Sequence, residues 1–133
     1  MGKFDELTSF IPLLKDDTYG NFVFKNASTQ AYQIVWSFVD YSENVTGFEY
    51  ALYRFCDEHP EYEHTHYQQT LKQHGLLASE KIISEADVST ADAKLVIALL
   101  MYVVRAERFC SGTLLHFCKE GIIVRWLERL AAL

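Results

Sequence analysis

Five charged side chains toward the C-terminal end are the residues best suited to chemistry. Arg105, Glu107 and Arg108 directly follow ten apolar residues, and Arg125 and Arg129, four positions apart, share one face of a helix. Guanidinium groups present a planar fork that matches carboxylates and phosphates, so the cluster is a candidate anion pocket. A competing account is internal. Charges at the edge of a core are usually compensated, and an Arg–Glu network tying the last two helices together would satisfy the same residues. Glu107 lies two positions from Arg105 and one from Arg108, so it shares a helical face with neither. It is expected to find its partner on another element, with Arg125 and Arg129 as the candidates.

The second concentration of chemistry-bearing side chains is His59, Glu61, Glu63, His64 and His66, whose imidazoles and carboxylates suit zinc or iron. The spacing does not. There is no His-Glu-x-x-His and no cysteine pair at ribbon spacing, so the segment reads as a solvated connection and no metal is expected. Cys56, Cys110 and Cys118 are odd in number and are expected to be free thiols on apolar helical faces, behaving as small hydrophobes. A nucleophilic cysteine needs a lowered pKa and a nearby base; Cys110 and Cys118 are flanked by Phe109 and Phe117, with His116 as a candidate partner, and a core or surface role is expected. No Gly-x-Ser-x-Gly elbow, glycine-rich phosphate loop or dinucleotide fingerprint is present, so no catalytic residue is assigned and no cofactor is expected.

These groups must be positioned by the surrounding elements. Leu95 to Val104 is apolar on every side and predicts a central buried helix, introduced by Ser89 and Asp92 as a capping box and ending near Cys110 to Gly112. As a helix it spans only about 15 Å, about half of a bilayer core, so no membrane association is expected. Ser42 is placed to cap a helix with Val45, Phe48, Leu52, Phe55 and Cys56 on one stripe, ending before Pro60. Tyr62, Tyr67 and Leu71 give a weaker helix closed by Gly75, and Glu80 to Ser84 a short turn. Leu114, Phe117 and Cys118 give a short helix stopped by Gly121, and Ile123, Trp126, Leu127 and Leu130 a last amphipathic one.

Near the start, Phe4, Leu7, Ile11 and Leu14 recur at helical spacing, with Pro12 imposing a kink or a restart. Phe22 to Lys25 and Tyr32 to Val39 predict a β-hairpin with a polar tip over Asn26 to Gln30. Its second strand alternates, placing Tyr32, Ile34, Trp36 and Phe38 on one face and Gln33, Val35, Ser37 and Val39 on the other. The aromatic face is expected to be the covered one. The fold class is thus α+β and predominantly helical, with five to seven helices packed with one β-hairpin around a central apolar helix, over residues 1–133 as a single domain.

Half of the 133 residues are hydrophobic and the net charge is −6, a balance that argues against a nucleic-acid partner. Met1 to Glu6 alternate charge and apolarity instead of leading into an apolar run, which predicts a cytoplasmic chain without a secretory leader. A two-stranded hairpin is marginal alone and leaves strand edges open. Homodimerisation through the hairpin region is therefore expected.

The run Val104-Arg105-Ala106-Glu107-Arg108-Phe109-Cys110, with Gly112, Leu114 and Leu115 after it and Trp126-Leu127-Glu128-Arg129-Leu130 near the end, resembles an uncharacterised family of small bacterial proteins known only as a domain of unknown function. Phe10-Ile11-Pro12 and Tyr41-Ser42 extend the resemblance over nearly the whole chain, whereas the histidines at 59 to 66 lie outside its pattern. The resemblance implies a bacterial cytosolic protein of one domain and transfers no activity, cofactor or catalytic residue. A non-enzymatic interaction or regulatory protein is the first reading. The alternative is a protein that binds, or an enzyme that acts on, a small anionic ligand through the arginine cluster.

Overall fold

The computed structural model of the chain describes residues 2–28, 33–76 and 79–133, with side chains described for all of these except 24–28 and 33–37. At its centre stands the helix predicted from the apolar run, running Ala93–Ala106 with Leu95 to Met101, Val103 and Val104 all buried. Its cap is Asp92 and not Ser89: Asp92 Oδ1 accepts from the Leu95 backbone N–H at 2.9 Å, while the Ser89 N–H donates to Asp87. Asp92 is the residue that enters the helix from an extended backbone, and only from there does a short side chain reach the third N–H.

In chain order the helices are α1 (Asp5–Thr8), α2 (Phe10–Lys15), α3 (Glu43–Glu58), α4 (Tyr67–Gln73), α5 (Glu80–Ser84), α6 (the central helix), α7 (Thr113–Lys119) and α8 (Ile122–Ala131). Two 3₁₀ turns, Pro60–Tyr62 and His64–His66, join α3 to α4. The first two helices adjoin across Ser9, which itself has helical backbone angles. The restart falls before Pro12, leaving the proline at the third position of α2, where the missing N–H has no partner to lose.

Around α6 lie α4, α7 and α8, and α1 and α2 bridge α3 to α8. The stripe predicted on α3 is buried as Val45, Phe48, Leu52, Phe55 and Cys56, with Ala51 beside it. From α8, Trp126, Leu127 and Leu130 enter the same core. Trp126, Phe48, Phe55 and Phe117 are the largest fully buried side chains, each worth about 1.5–3 kcal/mol of transfer free energy.

The hairpin is longer than expected. Strands β1 (Gly20–Ser28) and β2 (Gln33–Tyr41) pair antiparallel from Gly20↔Tyr41 to Ser28↔Gln33, about 30 Å of ladder. Asn26 to Ser28 therefore belong to the ladder, whereas Thr29 to Tyr32 lie outside the described residues. At the base both faces are partly covered: Val39 is buried and the Tyr41 hydroxyl meets the backbone of α7, while Phe38, on the face expected to be covered, is half-buried. Phe22, paired with Val39 and so on the same face, lies against Gly112. With 39 and 41 turned to the helices, period two sends Phe38 the other way.

Candidate functional site

The segment joining α6 to α7 turns within six residues, and Glu107 is its organiser. The Glu107 carboxylate accepts from the Gly112 N–H with both oxygens, at 3.0 and 3.1 Å, and from the Leu114 N–H at 3.0 Å. These N–H groups open α7 and have no partner within the helix. The next one, Leu115 N–H, donates to the Tyr41 hydroxyl at 3.0 Å. That hydroxyl faces the Glu107 carboxylate, and burial first, then this carboxylate, raise its pKa above the ordinary phenol value. The end of β2, the end of α6 and the start of α7 thus meet in one polar clasp. An ionised carboxylate there also complements the positive end of the α7 dipole.

The cluster read from the sequence is divided by the fold. Arg105 and Arg108 sit with Glu107, but the carboxylate is directed to backbone N–H groups and, contrary to expectation, pairs with no arginine of α8. Arg125 Nη2 instead donates to the Ser84 carbonyl at 3.0 Å, and Arg129 Nε to the Ala91 carbonyl at 2.8 Å, tying α8 to the segments before α6. Both last-helix arginines are spent on backbone. Arg105 and Arg108 lie over tyrosine rings, Arg105 Cζ 5.8 Å from the Tyr67 centroid and Arg108 Cζ 5.9 Å from that of Tyr53.

A groove of about 540 Å³ runs along α3, lined among the described residues by Thr46, Glu49, Tyr50, Tyr53, Arg54 and Asp57. Arg54 is held by Glu6 of α1. Glu49 has its pKa pushed up to about 6, chiefly by burial and then by Glu107, with Arg108 opposing. The sequence marks none of Tyr41, Glu49, Tyr53 and Tyr67 as a site residue, although Tyr67 is read as a helix position and Tyr41 belongs to the family resemblance. Tyrosines and a glutamate in strands and helices carry no motif, and only the fold brings them to Glu107, Arg105 and Arg108.

Glu49 provides a test of this electrostatic setting. Its pKa is higher in the fold than the 4.5 of a free side chain, so its contribution favours the fold most fully below about 4.5 and is lost as the pH rises through about 6. Glu49→Gln is expected to stabilise the protein at pH 7.5 by about 1 kcal/mol, allowing for partial exposure, and to be neutral near pH 4.5. Urea denaturation at the two pH values checks this. A destabilised variant at pH 7.5 contradicts it.

The histidine segment spans the two 3₁₀ turns and the residue before them: His59 packs at a tilt on Phe55 with ring centroids 4.3 Å apart and contacts Glu61, and His64 lies 3.8 Å from Asp57. Among the described residues no three His, Cys, Asp or Glu side chains converge as metal ligands. The cysteines are free: Cys56 and Cys118 are buried, their thiols pushed up to about 12 mainly by burial, whereas Cys110 is exposed in the turn and not, as anticipated, on a buried helical face. The turn before α7 leaves α6 at Ala106, so Cys110 falls beyond the helix and off its apolar side.

Fold and site together define a mostly helical α+β protein in which a carboxylate clasp fixes a turn between two core helices, with an arginine–tyrosine corner beside it. Among the described residues no helix is long and apolar enough to cross a membrane. The chain belongs to a family of unknown function, DUF6508, matching it over residues 2–133. No curated protein and no solved structure matches the chain.

Proposed function

We propose that the chain is a single-domain, non-enzymatic interaction or regulatory protein of the bacterial cytoplasm, acting as a homodimer joined where the hairpin base meets the α6–α7 turn. The observation that carries this reading is Phe109, which is 91% exposed at the apex of that turn. The turn around it is rigid: the Phe109 and Cys110 N–H groups both donate to the Ala106 carbonyl, Thr113 Oγ1 donates to the Cys110 carbonyl, and Glu107 holds Gly112 and Leu114. An aromatic ring held out on a preorganised loop loses little entropy on docking and is the kind of side chain that anchors interfaces. Phe22, 46% exposed against Gly112, adds apolar surface from the hairpin beside it.

Two further observations support the reading. The groups that could do covalent chemistry are engaged structurally, Glu107 by backbone N–H groups and two thiols by burial. Three free thiols, one of them exposed, suit a reducing compartment. The bacterial setting rests on the resemblance carried by Arg105 to Cys110.

Sedimentation equilibrium tests the proposal. The wild type is expected to be dimeric at micromolar concentration, with a melting temperature that rises with protein concentration, and Phe109→Ser monomeric, with the same circular dichroism spectrum and a melting temperature independent of concentration. A wild type that stays monomeric at about 100 µM, where even a weak interface would be populated, rules it out.

A further inference from the structure

A partly buried arginine is costly unless its N–H groups find acceptors. At the end of α6, Arg105 and Arg108 stand one turn apart on one side, and among the described residues neither has a carboxylate within ion-pair distance. Glu107, between them in sequence, is engaged by Gly112 and Leu114, and Glu49 on α3 feels the charge of Arg108 from beyond that distance. Each guanidinium lies over a tyrosine ring. A ring can occupy the flat face of the fork and still leave its N–H edges open to an oxyanion.

Three buried polar side-chain atoms among the described residues have no hydrogen-bond partner, and two of them are Arg105 Nε and the Tyr53 hydroxyl. Tyr53 is also the ring under Arg108 and a wall of the α3 groove. Tyr53, in the wall of a hollow of about 540 Å³, thus carries one unsatisfied donor and has the Arg108 guanidinium over its ring, while the other unsatisfied donor, Arg105 Nε, stands one turn from Arg108 on the residue that covers Tyr67. That volume is far more than a bare inorganic anion needs and is in the range of small-molecule pockets. Tyr50, 82% exposed, offers a second ring in the same hollow.

We propose that Arg105, Arg108 and the Tyr53 hydroxyl bind the oxyanion of a small molecule, a carboxylate or phosphate group carried on an aromatic body that lies in the groove along α3. The site does not depend on dimer formation, so its test stands apart from that of Phe109. Isothermal titration of the full chain with phenyl phosphate, benzoate, inorganic phosphate and benzyl alcohol decides it. One equivalent of phenyl phosphate or benzoate is expected to bind at least about tenfold more tightly than inorganic phosphate, with no binding of benzyl alcohol. Tyr53→Phe and Arg108→Gln are each expected to weaken that binding about tenfold or more. Tyr53→Phe keeps the ring and removes only an unsatisfied hydroxyl, and Arg108 is exposed, so both variants should fold as the wild type, as a thermal melt will check. If neither aromatic anion binds up to about 10 mM, or if both variants bind as the wild type does, the site is not there. Inorganic phosphate binding as tightly as phenyl phosphate overturns the part assigned to the groove.

Discussion

Glu107→Ala is expected to destabilise the protein by about 4 kcal/mol, because two backbone N–H groups lose a charged acceptor worth about 1.5–3 kcal/mol each. The loss is not made good by water, since Leu114 is fully buried and Gly112 lies under the Phe22 ring. Glu107→Gln keeps one acceptor oxygen and loses the charge, and about half that cost is expected. Urea denaturation with linear extrapolation measures both. The clasp and the Arg–Glu network give different double-mutant cycles. Glu107 should couple to Tyr41→Phe by about 1 kcal/mol and to Arg129→Gln hardly at all, since the Arg129 Nε–H is taken by the Ala91 carbonyl. A Glu107→Ala variant as stable as the wild type, or strong coupling to Arg129, would mean that the clasp is not what holds the turn.

From the sequence the expected partner of Glu107 is a cation, because side-chain charges are visible in a sequence and backbone N–H groups are the same at every residue. Where a cap sits next to the helix it serves, it can be read: Ser42, whose Oγ accepts from the Val45 N–H, was legible from its place before an apolar stripe. Glu107 caps α7 from five and seven residues upstream, across a turn whose geometry no local pattern announces. The central helix and the α3 stripe were legible because periodicity is a local property. That Val39 and Tyr41 meet the helices at the hairpin base was not, since both faces of β2 carry apolar residues and Tyr41 reaches α7 from the far end of the strand. For Arg105 and Arg108, the sequence showed a charged pair at the edge of a core. That their neighbours are the rings of Tyr67 and Tyr53, from two other helices, only tertiary packing could decide.

Gly112→Ala is expected to cost about 3 kcal/mol, for two separable reasons. Gly112 has φ +102 and ψ −8, a left-handed conformation in which any other residue is strained by about 1–2 kcal/mol. In addition, a Cβ at this position falls 2.7 Å from the tip of the Phe22 ring, so the ring must swing away from its seat on the turn. Alanine keeps the backbone N–H that Glu107 accepts, so this loss comes from strain and the Phe22 contact, and not from breaking the clasp. The two contributions part in a cycle with Phe22→Ala. Removing the ring abolishes the contact but leaves the backbone strain, so the double variant is expected to lie about 1 kcal/mol above the sum of the single changes. Thermal and urea denaturation of the four proteins give the comparison. If Gly112→Ala proves as stable as the wild type, then neither the left-handed turn nor the seat of Phe22 on it constrains the fold, and the joining of hairpin to helices at this point is wrong.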